Sequence, residues 1–182
     1  ILKLNIEEKK MKRLAVEVQT TGEVAEGHIV SSVSSDQNRI EVTGPESVVS
    51  RIASAVVKVD VTDSTSDIST NADVILYDAD GKEISMDNLS VNVNSVLVRV
   101  KILATKTVPV RYAATGTPAA GYLFTGEISG MPDFVTIAGT ASVLESVRSI
   151  VVPEEILDIN GRTDNLAVNV TIEEYLPEDT VL

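Results

Sequence analysis

Apolar and polar positions alternate along much of the chain. Leu14, Val16 and Val18 alternate with Arg13, Ala15 and Glu17, and Val108, Val110 and Tyr112 repeat the rhythm later. A period of two is that of a half-buried β-strand. Another strand is expected over 39–42, ending at Gly44-Pro45. Beyond Pro45 the rhythm changes. Val48, Val49, Ile52, Ala55 and Val56 fall at i, i+1, i+4, i+7 and i+8, as do Val143, Leu144, Val147, Ile150 and Val151. That spacing predicts one buried face of an amphipathic helix. Pro45 suits a helix start, and Glu46 suits the positive end of the helix dipole. A short helix is marginal alone, so it is expected to lie on a sheet. Further strands are expected over 57–61, 74–77, 89–93 and 96–102, with a hairpin turn at Asp80-Gly81.

The chain also repeats itself. KRLAVEVQTTGEVAEGHIV, from Lys12, aligns with KTVPVRYAATGTPAAGYLF, from Lys106. Lys12 matches Lys106, Gly22 matches Gly116 and Gly27 matches Gly121, all at an offset of 94. IEVTGPESVVSRIASAVV then matches VTIAGTASVLESVRSIVV at an offset of 95, with Gly44 opposite Gly139. VDVTD matches LDING, with Asp60 opposite Asp158. These offsets predict tandem copies, 7–103 and 104–182, joined without a Pro/Gly/Ser-rich tether. Leu2, Leu4 and Ile6 stand 94 residues before Val96, Val98 and Val100. Residues 1–6 therefore read as the closing strand of an upstream repeat, while the second copy lacks its own counterpart of 96–102. That spare strand is expected to pair within the first copy, to extend the strand at 12–18, or to fill the sheet edge of a neighbouring molecule as a strand-exchanged homo-oligomer.

Composition narrows the possible functions. Hydrophobic residues make up 43% of the 182, so a packed core is expected, whereas aromatics are only 3%. The apolar stock of Val, Ile, Leu and Ala favours strands. A net charge of −12 repels phosphate backbones and anionic headgroups, which argues against nucleic-acid binding. There is no Cys, and no apolar run approaches the roughly 20 residues needed to cross a bilayer. The chain begins in mid-pattern and looks like a segment of a longer protein.

No catalytic, cofactor or metal residue is assigned. His28 is the single histidine, and Tyr122 stands at its place in the second copy. A triad or a His-based metal site needs partners, so a structural role is expected in the loop after Gly27. Gly126-Glu127-Ile128-Ser129-Gly130 places its serine one position too late for a nucleophile elbow. Asp78-Ala79-Asp80-Gly81 reads as a turn, because Leu76 stands where a calcium loop needs an acid or amide. Asp60, Asp63 and Asp67 share one loop and could hold calcium weakly. Sequons at Asn88 and Asn169 fall in expected strands.

The pattern K-x-(V/L)-x-V, a glycine, G-Y, then V-x-V-x-G-P with an amphipathic helix, and V-D-V resembles the YbbR-like domain. The residues that carry it are Lys106, Val108, Val110, Gly116, Gly121-Tyr122, Ile40, Val42, Gly44-Pro45 and Val59-Asp60-Val61. His28 replaces the tyrosine in the first copy and Thr140 replaces the proline in the second. The resemblance implies a mainly β protein of two tandem small twisted β-domains, each with one short amphipathic helix, akin to the C-terminal domain of a ribosomal general-stress protein. It also implies a non-enzymatic bacterial module outside the cytoplasmic membrane, anchored by a segment absent from this chain, whose best-known relatives regulate a membrane-bound diadenylate cyclase and so the level of cyclic di-AMP. The partners implied are that cyclase and other YbbR-like repeats. A cell-surface or wall-spacer repeat of sandwich type is the competing reading, and a plain sandwich would carry strand in place of the helix after Gly44-Pro45.

Overall fold

The structure is a computed structural model and describes residues 6–182. Strand makes up 46% and helix 10%, so the fold is mainly β, as the alternation indicates. The chain divides into two compact units. One comprises residues up to Glu26 together with Val30–Ile102, and the other Gly27–Ile29 with Leu103–Leu182. Among the described residues no helix is long and apolar enough to cross a membrane.

The first unit contains β1 (Lys9–Thr21), β2 (His28–Ser35) from Val30 onward, β3 (Arg39–Pro45), α1 (Glu46–Val49), β4 (Ile52–Asp60), β5 (Ile68–Asp78), β6 (Glu83–Ile84) and β7 (Ser90–Val91). It also takes the start of β8 (Ser95–Arg111). β1 changes partners part-way along. Its residues 9–15 pair antiparallel with β3, and its residues 16–21 pair parallel with β4. β5 pairs antiparallel with β4 and with residues 95–100 of β8. The core lies along these strands, with Ile40, Val42, Ile52, Val57, Leu76, Val96 and Val98 at most 1% exposed.

The second unit repeats the arrangement in the same register. Residues 104–109 of β8 pair antiparallel with β9 (Phe134–Gly139), and Val110 and Arg111 pair parallel with β10 (Ile150–Val151). The change of partner falls between Ala15 and Val16 in one unit and between Pro109 and Val110 in the other. At the switch Val16 N–H donates to Asn38 O at 3.0 Å, and Val110 N–H to Asp133 O at 2.8 Å. Leu14 opposite Ile40 becomes Val108 opposite Val135, and Val16 opposite Ala55 becomes Val110 opposite Ile150. α2 (Ala141–Ser146) follows β9 as α1 follows β3, and β11 (Thr180–Val181) pairs with β9 as β7 pairs with β3. Val108, Ile137, Leu144, Val147, Ile150 and Val152 form the core of this unit.

Each unit thus holds a short helix, but both are shorter than the apolar spacing predicts. α1 stops at Val49, and Ile52, Ala55 and Val56 lie on β4. α2 stops at Ser146, Val147 is extended, and Ile150 and Val151 form β10. The spacing placed Val48, Val49, Val143 and Leu144 on helix as found, but Ile52, Ala55, Val56, Val147 and Ile150 are buried on extended backbone instead, and Val151 is exposed. The reason is geometric. Pro45 sits opposite Lys9 and Ala55 opposite Val16, seven residues further along β1. That separation is roughly 23 Å at strand rise. Ten residues of continuous helix advance only about 15 Å, so the connection closes only if most of it is extended. Ala55, Val56 and Val57 are also buried in succession, which marks a strand covered on both faces and removes its alternation.

Other boundaries shift too. The strands expected over 96–102 and from Val108 onward are one strand, β8. The strand expected over 89–93 is only Ser90–Val91. Asp80-Gly81 does form the turn between β5 and β6. The strand expected over 1–6 lies outside the described residues except for Ile6, which belongs to no strand.

Ile137 is fully buried in the second core, whereas Val168 is 44% exposed. Ile137→Ala is expected to cost about 2–5 kcal/mol of unfolding free energy, and Val168→Ala less than about 0.5 kcal/mol. Urea unfolding monitored by circular dichroism checks this. Equal costs would show that Ile137 does not carry the second core.

Candidate functional site

The polar side chains repeated between the units converge on two places in each. The first is the end of the helix. Lys12 lies on β1 and donates from Nζ to Ile52 O at 2.5 Å. Its twin Lys106, on β8, donates to Val147 O and Leu144 O, both at 2.7 Å. Ile52 and Val147 are themselves twins at the offset of 95. Leu144 O and Val147 O lie at the end of α2, where unpaired carbonyls carry partial negative charge that an ammonium satisfies, and Ile52 O lies at the start of β4 just past α1. The lysine of the K-x-(V/L)-x-V pattern is therefore a brace between the strand and the helix exit.

The second place is a turn beneath a glycine. Gly22 and Gly116 have φ of +79° and +97°. A Cβ on Gly22 would meet Thr62 Oγ1 and Asp60 Oδ1, and one on Gly116 would meet Asp158 Oδ1 and the backbone nitrogen of Asn160. Asp60 Oδ1 accepts from Thr62 N–H at 2.9 Å and from its hydroxyl at 2.5 Å. Asp158 Oδ1 accepts from Asn160 N–H at 2.9 Å. Backbone bonds fasten each turn to the glycine loop: Val61 N–H to Thr21 O and Asp63 N–H to Glu23 O, then Ile159 N–H to Thr115 O and Gly161 N–H to Thr117 O. The bonds from Thr62 hold the Asp60 carboxyl below its ordinary range, the hydroxyl first and the backbone N–H second.

The individual candidates from the sequence fall into this frame or outside any cluster. Asp60, Asp63 and Asp67 do not converge. Asp63 serves the turn just described, and Asp67 Oδ1 accepts from Ile102 N–H at 2.9 Å. Among the described residues no three His, Cys, Asp or Glu side chains come together as a metal-binding group. Asp78 Oδ1 accepts from the backbone of Asp80 and Lys82, which closes the Asp80-Gly81 turn. His28 is half-buried and opens β2 rather than sitting in a loop. Ser129 lies in an exposed loop, and Gly130 beside it packs under the Tyr112 ring. Neither sequon is in a strand: Asn88 sits in the turn before β7 and Asn169 in an irregular stretch, both exposed.

Two shallow open depressions lie on the first unit. One, of about 500 Å³, is lined by Glu7, Lys9, Pro45 and Leu89 among others. The other, of about 420 Å³, is lined by Ser32, Ser34, Ser69, Arg99, Lys101 and Asp67 among others. Neither brings together a nucleophile, a base and an orienting group.

The sequence reading missed two features. One is the partnership of Thr62 and Asn160 with the aspartates, readable as D-x-T and D-x-N at the same place in both repeats. The other is an exposed aromatic stretch, 121–134, a loop that runs into the first residue of β9 and includes both phenylalanines of the chain.

A mainly β frame, used twice in one register, with its repeated polar side chains bound to backbone, defines a tandem-repeat β protein. The family model of the YbbR-like protein matches residues 14–101 and 108–182, and the chain belongs to that family. No curated protein matches it in sequence. Solved structures similar to it include a crystal structure of a YbbR-like protein from Streptococcus pneumoniae TIGR4, 11% identical over 54% of this chain and 50% of that one, with a TM-score of 0.45. A solution structure of a Streptococcus thermophilus protein is 25% identical over 55% of this chain and 89% of that one, with a TM-score of 0.38. The chain matches half the length of the first.

Lys106→Met is expected to destabilise the second unit by about 1.5–3 kcal/mol, the range for hydrogen bonds to charged groups. Thermal unfolding at neutral pH reads this, and an unchanged midpoint would show that the lysine is not a brace. Asp60 gives a pH signature. Its carboxyl is held below its ordinary value of 3.8, so its contribution to stability is present above that value. The contribution fades as pH falls through the lower folded value. The destabilisation of Asp60→Ala at neutral pH should therefore shrink below pH 3.8. A penalty independent of pH would mean that the charge on Asp60 is not what the turn holds.

Proposed function

We propose that the chain is a non-enzymatic interaction module outside the cytoplasmic membrane of a bacterium, anchored through another part of its parent protein. We further propose that it regulates a membrane-bound diadenylate cyclase and thereby the level of cyclic di-AMP. The observation that supports a non-enzymatic role is the repetition itself. The polar side chains preserved between the two copies, Lys12 with Lys106 and Asp60 with Asp158, are bonded to backbone. Catalysis instead requires groups held toward a substrate. Membership of the YbbR-like family points the same way. The cyclase and the extracytoplasmic setting come from the family resemblance of the repeats. The net charge of −12 favours a protein partner over nucleic acid or anionic lipid. A sandwich-type wall spacer fits the topology less well, because the parallel pairing of β1 with β4 is foreign to an antiparallel sandwich.

The test is made in cells that carry the intact anchored parent protein. Removing both units should change the cyclic di-AMP level, and photo-crosslinkers placed on the units should capture the cyclase. An unchanged nucleotide level with no crosslink would overturn the cyclase reading. Full regulation by the soluble chain alone would overturn the anchored one.

A further inference from the structure

The stretch 121–134 of the second unit exposes Tyr122, Leu123, Phe124, Ile128, Met131 and Phe134, at 37% to 94% of their surfaces. Among the described residues this is the largest local concentration of exposed apolar side chains, in a chain that is only 3% aromatic. Exposed apolar side chains gathered in one stretch point to an interaction site. The internal repeat indicates what belongs against it. At the offset of 94, residues 122–129 are the twins of β2, His28–Ser35. β2 is a strand that pairs with β8 in the first unit. That pairing is locked at its end by Asp36, whose N–H donates to Leu97 O at 3.1 Å and whose Oδ1 accepts from Leu97 N–H at 3.0 Å. Val30 of β2 packs against the first core, and its twin is Phe124.

In the second unit no strand among the described residues pairs with 123–129, and these residues form no strand. Yet they keep the strand pattern, with Tyr122, Phe124 and Ile128 at alternate positions. The loop is also held in place at its return. Tyr112 OH donates to Pro132 O at 3.0 Å, the Tyr112 ring covers Gly130, and Val110 N–H donates to Asp133 O.

We propose that residues 122–129 are a docking edge for an added β-strand. The occupant is an extended segment with the alternating branched apolar side chains of Val96, Val98 and Val100, supplied by another YbbR-like repeat. Backbone hydrogen bonds along 123–129 would give affinity, and the side chains of Phe124 and Ile128 would select the alternating face. The proposal stands on the repeat geometry and does not depend on the cyclase reading.

The probe is a soluble synthetic peptide of residues 95–102, titrated into the isotope-labelled full chain. Saturable shifts of backbone amides confined to 121–134 are expected. Phe124→Asp combined with Ile128→Asp should weaken binding about tenfold or more. Both positions lie in an exposed loop, and an unchanged spectrum elsewhere verifies that the variant is folded. The same peptide with lysine at the three valine positions should not bind. No saturable shift, undiminished binding to the double variant, or equal binding of the lysine peptide would each overturn the proposal. Sedimentation without peptide separates the other occupant. A chain that self-associates through this loop and is not released by the peptide is held there by contacts other than an added strand, which also overturns it.

Discussion

One strand in each unit is bonded to two different partners along its length. β1 leaves β3 and joins β4 between Ala15 and Val16, and β8 leaves β9 and joins β10 between Pro109 and Val110. Backbone groups inside a protein must be paired, so the point of exchange determines where every neighbouring element begins. It requires the chain to leave the antiparallel partner, pass over the strand and return parallel to it. A short helical turn followed by extended chain spans that distance, and a long helix does not. The lysine brace stands just past the same turn, on the Ile52 carbonyl at the start of β4 in one unit and on the Leu144 and Val147 carbonyls at the end of α2 in the other. The glycine-and-aspartate turn closes the far end of the parallel pair, at Thr21 opposite Asp60 and Thr115 opposite Asp158.

The consequence for function is a division of labour within each unit. Side chains repeated between the copies hold backbone in place. Among the side chains that differ between the copies, Tyr122 and Phe124 are exposed in the second unit. His28 and Tyr122, Val30 and Phe124 are twins by position and unlike in chemistry, and they lie on the segment that is a strand in one unit and an exposed loop in the other. The net charge of −12 repels phosphate and anionic headgroups, while the apolar aromatic stretch of the second unit stays exposed on the surface.

Local patterning alone indicated the duplication, the mainly β class, the presence of a short helix after each glycine at 44 and 139, and the Asp80-Gly81 turn. These depend on side-chain periodicity, on glycines that must adopt positive φ or approach a neighbour closely, and on residues matched at constant offset, all of which are properties of short stretches. The length of the helices was not legible, because five apolar residues at helical spacing are also what a strand buried on both faces displays. Only the pairing of Ala55 with Val16 on one side and Leu76 on the other decided for strand. The roles of Lys12, Lys106, Thr62 and Asn160 were likewise decided by partners some 40 residues away or by a close approach of two loops. The same holds for the stretch 122–129: its alternation is written in the sequence, but strand or loop depends on whether a second strand is there to complete its hydrogen bonds.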